Sequence, residues 1–135
     1  MQLFEALAEA PQRLSWASRF TILCGLAYMA SGLLLLAWPG AVQSLFGDDA
    51  FAGREAALVR LLGMTVLVIG WLYVFGGRSG GRQFVAASVL DRIVLVPLVL
   101  VPLILSGVFP HTLSVFAVMD PALAVVAWAL LSRRP

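Results

Sequence analysis

The stretch QFVAASVLDRIVLVPLVLVPLILSG, Gln83–Gly107, decides how this chain must be read. Between Phe84 and Leu105, fifteen residues are Val, Leu, Ile or Phe, and an adjacent acid and base, Asp91-Arg92, stand near the middle. At the centre of a helix each of those apolar residues favours membrane insertion by roughly 0.3–0.6 kcal/mol, while Asp91 and Arg92 each oppose it by about 2.5–3.5 kcal/mol. The two sums nearly cancel. The segment settles in a bilayer only if the rest of the chain gives its charges partners.

The surrounding composition demands the same solvent. Of 135 residues, 61% are hydrophobic and 12% charged, and the mean hydropathy is +0.99. A soluble domain carries about 25% charged residues, so no water-facing surface can be assembled from this inventory. The chain reads as one membrane domain over residues 1–135. Its formal net charge of +2 comes from nine Arg and no Lys. No basic face with interleaved aromatics is present, which argues against nucleic acid as a partner. A single Cys, Cys24, and a single His, His111, exclude an intrachain disulfide and argue against a zinc or haem site. No cofactor is expected.

Outward from the opening stretch, three more apolar runs of bilayer-spanning length appear, giving spans over about 20–38, 55–76, 83–107 and 111–132. Residues Met1–Ala10 suggest one or two turns of interfacial helix or a frayed terminus, and Pro11 suits the first turn of a helix. The first apolar run is longer than a signal-peptide core and acids precede its first Arg, so it reads as a retained span. Trp38-Pro39-Gly40 ends it. Ala41–Phe46 places Val42, Leu45 and Phe46 on one side, predicting a short interfacial helix between spans one and two. Gly77–Arg82 is too short for anything but an antiparallel turn. The expected fold is an all-α, four-transmembrane-helix bundle running up-down-up-down.

Arg placement orients the bundle. Arg13, Arg19, Arg78, Arg82, Arg133 and Arg134 fall on one side, whereas Arg54 on the other is accompanied by Asp48, Asp49 and Glu55. The positive-inside rule therefore puts both termini in the cytoplasm. By span midpoints, Tyr28, Asp91, Arg92 and Asp120 share one layer near the bilayer centre, with Arg60 about 8 Å to the outer side. Arg60 either reaches inward to Asp120 or snorkels outward. These five residues are the candidate ligand-binding or buried polar layer; no catalytic or metal-ligating residue is assigned.

Helical spacing gives each span a polar or small-residue stripe. The stripes are Cys24, Gly25, Tyr28, Ser31 and Gly32; Arg60, Gly63, Leu67 and Gly70; Ser88, Asp91, Arg92, Leu95 and Val99; and Ala117, Asp120, Ala124 and Ala127. The glycines read as packing residues, His111 as a solvated turn residue and Cys24 as a small buried hydrophobe. Pro97 and Pro102 are expected to bend the outer half of the third span and open a cavity there. The charge layer itself fits two roles, an ion-pair network that fixes helix register and a ligand or proton site.

The order Pro39…Leu45-Phe46-Gly47, Arg60-Leu61-Leu62-Gly63…Gly70…Tyr73, Asp91-Arg92 and Asp120 resembles the small four-helix bacterial membrane proteins grouped as DoxX-like, over about residues 20–131. The resemblance implies a bundle in the bacterial inner membrane. It carries over Arg60–Gly63, Arg92 and Asp120 as group positions, and the group's name traces to a subunit of a quinone-linked oxidase. A small multidrug transporter is disfavoured because the first span has no acid. A sterol-isomerase-like cavity would draw on Tyr28, Trp71, Asp91 and Asp120, with no specific motif behind it.

The function expected is thus a non-enzymatic inner-membrane binder of an apolar or lipid-like molecule, or an accessory subunit. Its partners would be membrane lipids, an apolar or quinone-like small molecule, and a membrane subunit or second copy. The alternative is a small intramembrane enzyme or proton-coupled carrier using Asp91 or Asp120.

Overall fold

A computed structural model describes residues 2–9 and 13–133. The expectations for Pro11 and Arg134 lie outside the described residues. Helix α1 spans Gln2–Ala8, α2 Trp16–Ala37, α3 Pro39–Phe46 and α4 Glu55–Arg78. Then follow α5 Arg82–Leu90, a π-helical turn Asp91–Leu95, α6 Val96–Leu105 and α7 Pro110–Ser132. Among the described residues there is no strand. Helices α2, α4 and α7, and the continuous run from α5 through α6, are each long and apolar enough to cross a membrane. The protein is accordingly an all-α, multi-pass membrane protein, with four long helices where the sequence places its spans and the short α3 where it places a connector.

Local chemistry sets the boundaries. The first span begins at Trp16, four residues before its uncharged core, because Ser15 caps it: the Ser15 hydroxyl accepts from the Ser18 amide at 3.1 Å. Arg19 in that first turn lies 5.2 Å from the Trp16 ring centroid. Pro39 starts α3 at a position where its missing N–H costs nothing, and Gly47 ends it in the left-handed conformation at φ 70°.

The tightest packing joins α2 to α4. A Cβ on Gly25 would come within 2.7 Å of the Gly70 carbonyl oxygen, and one on Gly63 within 2.7 Å of the Leu36 amide nitrogen. A Cβ on Gly32 would meet the Leu67 amide at 2.5 Å. Pairing 25 with 70 and 32 with 63 makes these two helices antiparallel neighbours. Lipid tails are as apolar as leucine, so helices in a bilayer gain by close backbone approach rather than by burying oil. Glycine is what permits that approach here.

The third span is not a regular helix. The Val96 amide donates to the carbonyl of Asp91, five residues back, in the π-helical turn. Pro97 follows directly. It has no N–H to give, and its ring would crowd the carbonyl of Ile93 in a regular turn; the wider π turn relieves both problems. One extra residue in the turn shifts everything after it by about 100° around the axis. The regular stripe expected from Ser88 to Val99 is broken accordingly: Ser88 and Arg92 are buried, whereas Leu95 and Val99 are 53% and 50% exposed.

A second tertiary device fixes the start of the fourth span. Phe109, the residue before α7, sits at φ 41° and offers no side-chain cap. The buried Asp48, from the loop after α3, supplies one instead. Its carboxylate accepts from the amides of His111 at 3.0 Å and Thr112 at 2.9 Å, from the Thr112 hydroxyl, and faces His111 Nδ1 at 3.1 Å. The His111 side chain is 65% exposed, as a turn residue should be, yet its ring is committed to this contact.

Burial pushes the Asp48 pKa up, but the hydrogen bonds from Thr112 and His111 outweigh it and hold the group below the ordinary carboxylate value. A depressed folded pKa contributes stability that is complete above the unfolded value, about 3.9, and lost as pH falls through the folded one. Asp48→Ala should therefore lower stability by about 1–2 kcal/mol at pH 7. It should also flatten the loss of thermal stability as pH falls below about 4. An unchanged acid profile in the variant would remove Asp48 from this role.

Candidate functional site

Beyond Tyr73, α4 and the third span part company. The two meet near the turn that joins them: a Cβ on Gly76 would strike the Phe84 ring, and Tyr73 packs edge-on to Phe84 at 5.8 Å. Further along, α4 packs on α2 while the π turn and α6 pack on α7, and no substantial approach of α4 to α6 follows. A cavity of about 340 Å³ fills the gap. That is within the range of small-molecule pockets, about 300–1,000 Å³.

The cavity has a polar floor and apolar walls. Tyr28, Tyr73, Asp91, Arg92 and Asp120 line it together with ten apolar residues from α2, α4, α7, the π turn and α6. Tyr28, Tyr73, Arg92 and Asp120 are buried, whereas Leu62, Leu95 and Val99 at the rim are exposed. The mouth therefore opens sideways between α4 and the third span, onto the apolar outside of the bundle.

The floor is built around Arg92, which is 1% exposed. Its Nε donates to the Ser88 carbonyl at 3.0 Å and one terminal nitrogen, Nη2, to the Ser88 hydroxyl at 3.3 Å. Its guanidinium carbon lies 5.3 Å from the centroid of the Tyr73 ring. The other terminal nitrogen, Nη1, is buried with no hydrogen-bond partner. Across the floor the Tyr28 hydroxyl donates to Asp120, and the Tyr28 and Tyr73 rings pack edge-to-face at 5.5 Å.

Four of the five candidate residues, Tyr28, Asp91, Arg92 and Asp120, are thus brought to one cavity. Arg60 stands apart: it is exposed on α4 and outside the lining. Asp120, which sequence reasoning pairs with an arginine, takes its direct hydrogen bond from Tyr28. Among the described residues the one salt bridge is Asp48 with His111, so neither Asp91 nor Asp120 is in direct ionic contact with Arg92. Asp91 is half-buried at the edge of the floor. Trp71 is exposed and packs on Phe75 at 4.6 Å, away from the cavity.

Sequence reasoning missed Ser88 as the anchor of Arg92 and Tyr73 as its aromatic neighbour. The signal for Ser88 was available, since residues four apart share a helix face. Tyr73 stands three residues after Gly70 on the small-residue face of its span, but nothing in the sequence says which neighbour that position meets. The fold and cavity together define a four-helix membrane protein with a laterally open, polar-floored pocket. No protein-family model, curated protein or solved structure matches the chain.

Proposed function

We propose that this is an inner-membrane protein of the DoxX-like kind that binds an apolar or lipid-like molecule in the cavity between its second and third spans. The observation that carries the reading is a pocket of about 340 Å³ with apolar walls, a polar floor of Tyr28, Asp91, Arg92 and Asp120, and a mouth that opens past exposed leucines and a valine. A concave, mostly apolar space with a few convergent polar groups is the usual form of a small-molecule site. In this reading the four helices cross the bilayer up-down-up-down with both termini cytoplasmic, as the Arg distribution requires. Binding is non-enzymatic. The half-buried Asp91, lining the cavity outside any ion pair, favours a second reading as a proton-coupled carrier.

The test exploits the exposed rim. Leu95→Trp and Val99→Trp add bulk at positions where the fold has room and the mouth has none. Wild-type protein extracted in mild detergent should retain a near-stoichiometric apolar molecule, identified by mass spectrometry of the organic extract. The double variant should retain about tenfold less. Equal retention by both proteins would locate the molecule elsewhere and end the proposal.

A further inference from the structure

Resting on that binding reading, the open polar atoms of the cavity also specify the head of the ligand. We infer that the cavity takes an apolar molecule whose head is a single cationic nitrogen, held by the carboxylates of Asp91 and Asp120 while the body lies against the leucine and valine walls. Three charged side chains line the space, two acids and one base, because Arg60 stands outside it. The base is closed off. Arg92 is fully buried, its Nη1 has no open surface, and its guanidinium is shared among Ser88, the Tyr73 ring and the Cys24 thiol.

The acids are open. Among the described residues no hydrogen bond or salt bridge reaches the Asp91 side chain, and only Oδ1 of Asp120 has a partner, the Tyr28 hydroxyl. The fully enclosed side-chain polar atoms without a partner are Arg78 Nε and Arg92 Nη1, so the remaining carboxyl oxygens keep accessible surface. Asp120 is more than nine-tenths buried, and what it leaves open it leaves open to the cavity it lines.

An ionised carboxylate only accepts, and the Tyr73 hydroxyl on the same floor can accept as well. What the site lacks is a donor with a positive charge. Away from water, an acid without a base must carry a proton or take a cation from outside. A carboxylate or phosphate head would add a like charge in a space of low dielectric, where such charges repel strongly. A bare metal cation would need more oxygen ligands than these walls supply, and its hydration shell bars it from a mouth facing lipid. One ammonium brings the missing charge and up to three N–H donors. Its hydrocarbon or ring body can follow it in past Leu62 on α4 and Leu95 and Val99 on the third span.

Four probes of equal chain length separate the possibilities: dodecylammonium chloride, dodecanol, dodecane and sodium dodecanoate. Each is titrated near neutral pH into the purified full-length protein in dodecyl maltoside, and its affinity is read from the shift in thermal unfolding. The ammonium should bind about tenfold or more tighter than dodecanol or dodecane, and dodecanoate no better than dodecane. Labelling of Asp91 by dicyclohexylcarbodiimide, followed by peptide mass, gives the ranking a second time. Half protection should need about tenfold less of the ammonium than of dodecanol.

Asp91→Asn should erase the ammonium's advantage and keep the binding of dodecanol, whereas Glu55→Gln, outside this cavity, should change neither. If Asp91→Asn does not fold, the protection of wild-type Asp91 decides alone. The rim variant Leu95→Trp should weaken all binding. Phosphatidylethanolamine brings a phosphate with its ammonium and should fail to compete; displacement of dodecylammonium by it overturns the inference. Equal binding of ammonium, dodecanol and dodecane, all weakened by Leu95→Trp, overturns the cationic head and leaves the binding reading intact. Preference for dodecanoate or dodecanol overturns it too. No binding of any probe, by either readout, overturns both.

Discussion

Asp120→Ala should lower stability by about 1–3 kcal/mol when unfolding is followed in mixed micelles of rising anionic detergent content. Two losses combine in that variant. The Tyr28 hydroxyl loses its acceptor, and the buried Arg92 loses the most buried carboxyl group on the shared floor. Their sizes differ. Interhelical hydrogen bonds in membrane proteins contribute about 0.6 kcal/mol on average and rarely more than about 1.7. Tyr28→Phe, which removes the bond and keeps the charge, should therefore cost no more than that. The remainder belongs to the charge. Asp120→Asn separates the two from the other side, since it keeps an acceptor for Tyr28 and removes the charge. A stability for Asp120→Ala within about 1 kcal/mol of wild type would mean that Arg92 is compensated by something other than this carboxyl group.

Substitution at the glycines between α2 and α4 should be nearly as damaging, for a different reason. Gly63→Ala places a methyl group 2.7 Å from the Leu36 amide and 2.9 Å from the Gly32 carbonyl, and backbone atoms cannot turn aside as a side chain can. The helices must separate, at a cost of about 1–3 kcal/mol, and Gly63→Leu should abolish the native packing. The facing Gly32→Ala should cost a similar amount alone. Combined with Gly63→Ala it should add less than its single value, because the helices have already moved apart. Gly40→Ala is the control: nothing lies within 4 Å of its added Cβ, and it sits within helix α3. It should be neutral or stabilising by up to about 1 kcal/mol. Equal effects at Gly63 and Gly40 would show that the close α2–α4 contact does not set stability.

Much of this architecture is legible in one dimension. Hydrophobic runs of bilayer length, broken by Pro39-Gly40, Gly47 and Gly77–Arg82, determine an all-α protein with four long helices. A continuous apolar run of about 20 residues in lipid satisfies its own backbone as a helix, whereas a barrel strand is shorter and alternates. The small residues at Gly25, Gly32, Gly63 and Gly70 recur at helical spacing, so the α2–α4 seam could be read before any coordinates. Equal depth likewise brings Tyr28, Asp91, Arg92 and Asp120 to one layer, since the rise per residue is fixed.

Partnership within that layer was decided only by tertiary structure. Depth says nothing about azimuth, and the π turn before Pro97 rotates the outer half of the third span away from the face a regular helix would present. That rotation, with α4 held against α2 by its glycines, opens the cavity. The fold then directs Arg92 to Ser88 and Tyr73, gives Asp120 to Tyr28 and keeps Arg60 outside the cavity lining. The Asp48 cap is the same kind of fact. A carboxylate 63 residues from His111 can satisfy the start of α7 only after the chain has returned it there. Hydropathy is summed along the chain, but a hydrogen bond is a meeting in space between residues the sequence keeps far apart.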